Sequence, residues 1–192
     1  MVLESVGTSL IIGKARKGKF SNLKDTEIKK WYLFVAAFGI EYLTVKLAAG
    51  GDGFFSKHIL LIHLTIYLLL FAGLYFNRKL WAFKIVFIGI LLNFIVIMAN
   101  GGHMPVSAGA MLSAGLDDNL NVIRAGHFIT HSVMDTHTKL PFLGDILVLP
   151  KPYPRPKVFS IGDMIMAAGV FIFIQQEMLR GVGSKRQKTV EL

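Results

Sequence analysis

The sequence predicts an all-α integral membrane protein of about five transmembrane helices, with a partly ordered insert between the fourth and the fifth. Hydrophobic residues make up 53% of the 192 residues, and the mean hydropathy is +0.55. The apolar residues are concentrated in long runs, four of which approach the roughly 20 residues that a helix needs to cross a bilayer. These runs lack the strict alternation of a membrane β-barrel, so we expect helices.

The five apolar runs give the predicted spans in chain order. The first, residues 2–12, is short, because about twelve residues reach only about 18 Å as a helix against a hydrocarbon core of roughly 30 Å. It is not a secretory signal peptide, since its positive charge follows the apolar stretch, from Lys14 and Arg16 onward. The other spans are predicted at residues 31–49, 58–76, 80–99 and 158–178. All belong to one domain, residues 1–182, which a disordered basic tail at residues 183–192 follows.

Basic residues cluster at the ends of the apolar runs. The connector at residues 14–30 holds seven lysines and arginines, and the turn at residues 77–79 and the C-terminal tail are also basic. Because such loops stay in the cytoplasm, we expect a cytoplasmic C-terminus, with the N-terminus and the insert outside. The net charge of +9 therefore does not indicate a nucleic-acid partner, and the expected partner is the lipid bilayer. Cysteine is absent, which excludes disulfides and cysteine metal sites.

The insert, residues 100–157, is polar but carries local structural signals. Ser107 suits a helix N-terminus and Gly115 a helix C-terminus, which predicts a short helix at residues 108–114. Further along we expect a second short helix from Asp118 to Arg124, an extended segment at residues 128–133, and a non-helical segment at residues 151–156, where three prolines restrict the backbone.

Three polar side chains fall within the predicted spans: Glu41, His63 and Asn93. An ionised carboxylate at that depth costs at least a few kcal/mol, so it faces the bundle interior, pairs, or stays protonated. Possible partners of Glu41 are Lys46, His63 and Asn93. The functional interpretation is a proton-sensitive or substrate-binding group, and the structural one is a hydrogen bond between helices.

Histidines are concentrated in the middle of the insert. His127, His131, Asp135 and His137 would project to one side of an extended segment, which offers enough nitrogen and oxygen ligands for zinc or another transition metal. The alternative is an exposed, histidine-rich loop, because spacing alone does not make a metal site and no His-Glu-x-x-His motif is present.

The junctions between spans and insert form the other candidate site. Asn100 and the two glycines after it allow a sharp helix end, and Asp163 suits the N-terminus of the last span. Together Asn100, His103, Asp145 and Asp163 would line a half-exposed ligand-binding site. The structural interpretation of the same residues is helix capping and loop docking.

Three segments of the chain carry a family resemblance. Residues 100–107 (Asn-Gly-Gly-His-Met-Pro-Val-Ser), 135–145 and 159–163 resemble a bacterial membrane family known as domain of unknown function 5317, and so does the basic connector at residues 18–23. The likeness covers about residues 2–178. It implies a small bacterial multi-pass membrane protein with no assigned activity, and there are no family catalytic residues to carry over. We expect it in the bacterial inner membrane.

The sequence is compatible with three function classes. The first is a non-enzymatic membrane protein that binds a lipid, a small molecule or a partner protein at its outer face. The alternative is a small transporter or channel-like subunit that uses Glu41 and His63. A metal-dependent membrane enzyme is the third. The sequence identifies neither catalytic residues nor a cofactor.

Overall fold

The computed structural model describes residues 1–48 and 53–180, and within these ranges the protein is mostly helical. The helices are α1 (Val2–Ala15), α2 (Phe20–Lys24), α3 (Tyr32–Ala48), α4 (Gly53–Phe76), α5 (Trp81–Ala99), α6 (Ala108–Ala114), α7 (Asp117–Arg124) and α8 (Ile161–Met178). The strands are β1 (Met104–Val106), β2 (His131–Val133), β3 (Leu147–Leu149) and β4 (Lys157–Phe159), and Pro141–Leu143 form a single 3-10 turn. The predicted tail at residues 183–192 lies outside the described residues.

The long helices pack side by side in the order α1, α8, α5, α4 and α3, so that the last helix lies between the first and the fourth of the predicted spans. Three of them, α4, α5 and α8, are long and apolar enough to cross a membrane. The other two are shorter, with 14 residues in α1 and 17 described residues in α3. The predicted helical class is thus confirmed, while five spans remain a prediction.

Two predicted span boundaries differ from the observed helix ends. The apolar run predicts that the third span begins at His58, but α4 begins at Gly53, because the polar residues Ser56 and Lys57 do not interrupt the helix. The fifth was expected to begin at residue 158, but α8 begins at Ile161. Ser160 caps α8 by accepting a hydrogen bond from the Asp163 amide, and the three residues before it form β4.

Glycines bring α5 and α8 into close contact. A Cβ at Gly89 would lie 2.5 Å from the Gly162 carbonyl oxygen and 2.7 Å from the Met166 amide nitrogen, and a Cβ at Gly169 would lie 2.7 Å from Val86 Cγ2. Such small-residue contacts allow the backbones of two apolar helices to approach, as is common between transmembrane helices.

The segment between α5 and α8 contains small strands, which the all-α prediction did not include. β1 pairs in parallel with β2, so that Met104 lies opposite His131, and β3 pairs antiparallel with β4. The short helix at 108–114 is confirmed as α6, with Ser107 accepting a hydrogen bond from the Ala110 amide and Gly115 in the left-handed region at φ 71°. Residues 151–156 are non-helical, as predicted.

A small apolar core holds this segment together. Val106 of β1, Met111 of α6 and Leu120 of α7 are buried against one another. The sequence does not predict β1 and β2, because each strand is formed by pairing with the other, and the two lie far apart in the sequence. The result is an ordered layer over one end of the helix row.

Candidate functional site

A cleft of about 520 Å³ opens between the first turns of α4, the end of α7 and strand β2. Its polar lining comes from two imidazoles, one guanidinium and two hydroxyls, and its apolar lining from four side chains. These residues are Ser56, His103, Ile123, Arg124, Phe128, Ile129, His131, Ser132 and Val133. A concave surface that combines apolar walls with a few polar groups is typical of small-molecule sites.

His103 contributes an imidazole whose tautomer is fixed by the backbone. Its Nδ1 lies 2.8 Å from the carbonyl oxygen of Ile129, which can only accept a hydrogen bond. Nδ1 therefore carries the proton, and Nε2 of the neutral ring is a hydrogen-bond acceptor. Burial lowers the pKa of His103 below its ordinary value, so the neutral form predominates at neutral pH.

His131 is held from both sides. Its Nε2 lies 3.6 Å from Oδ2 of the buried Asp145, and its Nδ1 lies 2.8 Å from the Thr130 hydroxyl. The ring also lies 5.0 Å from that of Phe128, centroid to centroid. Burial raises the pKa of Asp145, and its Oδ1 has no hydrogen-bond partner among the described residues. Asp145 thus positions His131 from behind the cleft.

Asn100 does not line the cleft, and its side chain joins the end of α5 to the segment around Lys139. Its side-chain amide donates to the carbonyl oxygen of Lys139 at 2.8 Å, and its Oδ1 accepts from the Lys139 amide at 2.9 Å. The same amide also donates to Val96 in the last turn of α5. The structural interpretation of Asn100 therefore fits the geometry: it docks the 135–145 turn onto the end of α5.

Asp163 and Asn93 meet each other away from the cleft. Asn93 Nδ2 donates to Asp163 Oδ1 at 2.8 Å, and the Ser160 hydroxyl donates to Asn93 Oδ1 at 2.8 Å. Asp163 also accepts from the Ser160 amide, which completes the capping box of α8. These three side chains link α5 to the start of α8. The four residues expected at one junction site are thus divided, with His103 alone lining the cleft.

Glu41 and His63 are brought together between α3 and α4. Glu41 Oε2 lies 3.4 Å from His63 Nε2, and the His63 side chain is 5% exposed. His63 Nδ1 lies 2.6 Å from the carbonyl oxygen of Gly102, at the start of the segment that forms the cleft. Of the three possible partners that the sequence left open for Glu41, His63 is the one in contact with it.

The four residues considered for metal binding do not converge. His131 pairs with Asp145, His127 lines a separate apolar cavity beside Val45 and Ala48, and the Asp135 carboxylate accepts from the His137 amide within its own turn. No group of three or more histidine, aspartate or glutamate side chains in residues 1–48 and 53–180 is placed to hold a metal ion.

Sequence reasoning missed Arg124 and Phe128. Arg124 ends a short helix, where a basic residue ordinarily complements the helix dipole, and an isolated phenylalanine in a loop carries no signal of its own. The sequence feature that could have indicated them is Gly126 between the two, since glycine is typical of a helix end; it has φ 75° and lines the cleft with both.

Comparison with known proteins places the chain in a family. A family model described as a family of unknown function (DUF5317) matches residues 25–175. The chain belongs to the DUF5317 family. The resemblance carried by residues 100–107, 135–145 and 159–163 is thereby confirmed. An uncharacterized protein of Thermotoga maritima is 28% identical over 156 residues, which cover 81% of this chain and 80% of the relative. No solved structure matches the chain.

Proposed function

We propose that this chain is a multi-pass membrane protein that binds an amphipathic anion, a lipid or a small molecule, in the cleft between α4, α7 and β2. The observation that carries the proposal is the composition of the cleft. Arg124 and two imidazoles face the same space as the apolar side chains Phe128 and Ile129. A guanidinium suits a phosphate or carboxylate group, and the apolar wall suits an acyl chain.

The size and position of the cleft support this proposal. Its volume of about 520 Å³ lies within the range of about 300–1,000 Å³ typical of small-molecule sites. The cleft lies beside the N-terminal end of α4, which after α5 is the most apolar of the three long helices. A ligand at the bilayer surface would therefore have direct access to the cleft. His103 and His131 are held by Ile129, Thr130 and Asp145, which reduces the entropy lost on binding.

The proposed orientation places the cleft on the outer face. The basic residues of the 14–30 connector and of the turn at Arg78 lie at the opposite end of the helix row, which the positive-inside rule assigns to the cytoplasm. Exposed aromatic side chains at that same end suit a membrane interface. They are Trp31, Tyr32, Tyr75 and Trp81.

The test is a binding titration of the full chain in phosphatidylcholine nanodiscs. The probe is water-soluble, short-chain phosphatidylglycerol, with short-chain phosphatidylcholine as the zwitterionic comparison. We expect phosphatidylglycerol to bind more tightly. We expect Arg124→Gln and Phe128→Ala each to weaken its binding about tenfold or more, which corresponds to about 1.4 kcal/mol.

Matched controls are available in the same insert. Arg155→Gln and Phe142→Ala remove the same side chains from exposed positions outside the cleft and should leave binding unchanged. Equal binding by the cleft variants and the control variants would refute the cleft as a ligand site. Equal affinity for the two lipids, with Phe128 still required, would refute only the anionic preference.

A second candidate function, carriage of protons or of a solute with them, is favoured by the pairing of Glu41 with His63. We expect Glu41→Gln to abolish pH-driven proton flux in pyranine-loaded proteoliposomes, because the amide cannot ionise. Glu27→Gln, an exposed carboxylate in the connector, is the control. Unaltered flux in Glu41→Gln would remove Glu41 from any transport role.

A further inference from the structure

The pair formed by Glu41 and His63 has a hydrogen-bonding pattern that constrains its protons. His63 is buried between the helices, ten residues into α4, and Glu41 approaches it from α3. The Glu41 side chain is 37% exposed, but its Oε2 atom is buried, lies 3.4 Å from His63 Nε2 and makes no hydrogen bond with any described residue. Within the described residues, no lysine or arginine forms an ion pair with Glu41.

The backbone decides which nitrogen of His63 carries a proton. Nδ1 lies 2.6 Å from the Gly102 carbonyl oxygen, and a carbonyl oxygen only accepts. Nδ1 is therefore the donor, and in a neutral imidazole Nε2 is left with a lone pair. That lone pair faces a carboxylate oxygen, which is also an acceptor when it is ionised. Two acceptors in contact, both out of water, are unfavourable.

We propose that Glu41 and His63 together form a proton-binding site that holds one shared proton between His63 Nε2 and Glu41 Oε2. Either arrangement of that proton satisfies both atoms: an imidazolium that donates to the carboxylate, or a carboxylic acid that donates to the neutral ring. Each leaves the pair with a net charge of zero, which lowers the cost of holding the buried His63 ring and the buried Glu41 Oε2 atom in an apolar setting.

The other titratable groups around the pair come from each element packed near it. Tyr67 lies one turn further along α4 from His63 and is buried. His103 follows Gly102, whose carbonyl oxygen lies 2.6 Å from His63 Nδ1. Lys46 on α3 lies over the exposed ring of Tyr42, 5.8 Å from its centroid. A second carboxylate or a cation in contact with the pair is absent from the described residues.

The Gly102 carbonyl group links the Glu41–His63 pair to the chain segment that lines the cleft. Gly102 packs directly on α4, since a Cβ there would lie 2.7 Å from Leu60 Cα, and the next residue is the cleft histidine His103. Loss of the shared proton leaves two facing acceptors and favours separation of α3 from α4 at this level. Proton carriage by Glu41 would need this shared proton, but the shared proton does not imply carriage, because a site can bind a proton without transporting it.

The experiment counts protons on the pair. The full chain, labelled with 15N in histidine, is placed in nanodiscs, and nuclear magnetic resonance reports the protonation of each His63 nitrogen. Infrared difference spectroscopy reports protonated carboxylic acid through its carbonyl-stretch band. His63→Gln and Glu41→Gln assign the signals, and His58→Gln on the same helix and Glu27→Gln are the controls.

The expected result at neutral pH is a protonated Nδ1, and imidazolium and carboxylic-acid fractions that sum to one. Both signals should then titrate together, and Glu41→Gln should uncouple His63 from that titration. A sum of zero or of two would overturn the proposal, and so would a His63 tautomer with its proton on Nε2 alone. A correct proton count without proton flux in proteoliposomes would refute the carrier candidate and leave the proton site standing.

Discussion

At the scale of single residues, two adjacent glycines end α5 and carry different constraints. Gly101 and Gly102 both have positive φ, 69° and 92°. A Cβ at Gly101 would meet nothing within 4 Å, whereas one at Gly102 would lie 2.7 Å from Leu60 Cα and 2.8 Å from Leu60 N. Gly102 therefore has both a backbone and a packing requirement for glycine, and Gly101 has only the first.

This difference predicts unequal effects of the same substitution. Gly101→Ala should cost about 1 kcal/mol, the typical cost of a left-handed backbone for an ordinary residue. Gly102→Ala should cost about 2–4 kcal/mol, because overpacking against α4 adds about 1–3 kcal/mol to the backbone strain. Thermal unfolding in detergent measures both. Equal losses of stability would contradict the close packing of Gly102 on Leu60.

Single residues also show what the sequence could and could not predict. The helix ends at Ser107 and Gly115 and the position of Asp163 in the first turn of α8 follow from local rules, because capping depends on residues three or four positions away. The pairing of His131 with Asp145 does not, since it requires β1, β2 and the bridge between Val106 and Asp145 to be in register. A histidine-rich spacing therefore suggested a metal group that the fold separates.

At the scale of elements, α1 is held in place by its packing against α8. Ser5, Ser9 and Gly13 recur every four residues and form one buried face of α1. The Ser5 hydroxyl donates to the Ala167 carbonyl at 2.5 Å, and Gln175 donates to the Ser9 carbonyl at 2.6 Å. The first helix is thus bonded to the last along its length, although its 14 residues make it too short to cross a membrane upright.

The α1–α8 contact predicts a position-specific effect within α1. Gly13→Ile should displace α1 from α8, because a Cβ at Gly13 would lie 2.5 Å from Met178 Sδ. Gly7→Ile is the matched control, since a Cβ at Gly7 would meet nothing within 4 Å. Hydrogen exchange of the α1 amides measures the displacement. Similar exchange in the two variants would mean that α1 does not pack on α8 through Gly13.

Hydropathy predicted where the long helices lie, and the capping residues decided where they end. The predicted span at 158–178 opens with the apolar residues Val158 and Phe159, yet Lys157–Phe159 pair with β3, and α8 begins only after its cap, Ser160. A hydropathy pattern cannot separate a buried strand from the first turn of a helix, because both are apolar. The antiparallel pairing of this segment with Leu147–Leu149 decides, and hydropathy does not report strand pairing.

At the scale of the whole molecule, five helices form an open row, and an ordered layer covers one end of it. Large apolar side chains are exposed along the row, including Val35, Phe38, Leu43, Leu61, Leu68, Ile88 and Ile95. Apolar surface of this extent is costly in water and favourable in lipid. The long helices, the exposed apolar faces and the basic end all support the proposal of a membrane protein with its cleft on the outer face.

The central claim, that the row spans a membrane and presents residues 100–157 on the outside, is tested most directly by cysteine labelling. The chain has no cysteine, so Ser21→Cys in the basic connector and Thr136→Cys in the insert each give a single exposed thiol. With a membrane-impermeant maleimide on intact bacterial cells, we predict labelling of Thr136→Cys, and labelling of Ser21→Cys only after permeabilisation. The reverse pattern, or equal labelling of both in intact cells, would contradict the account.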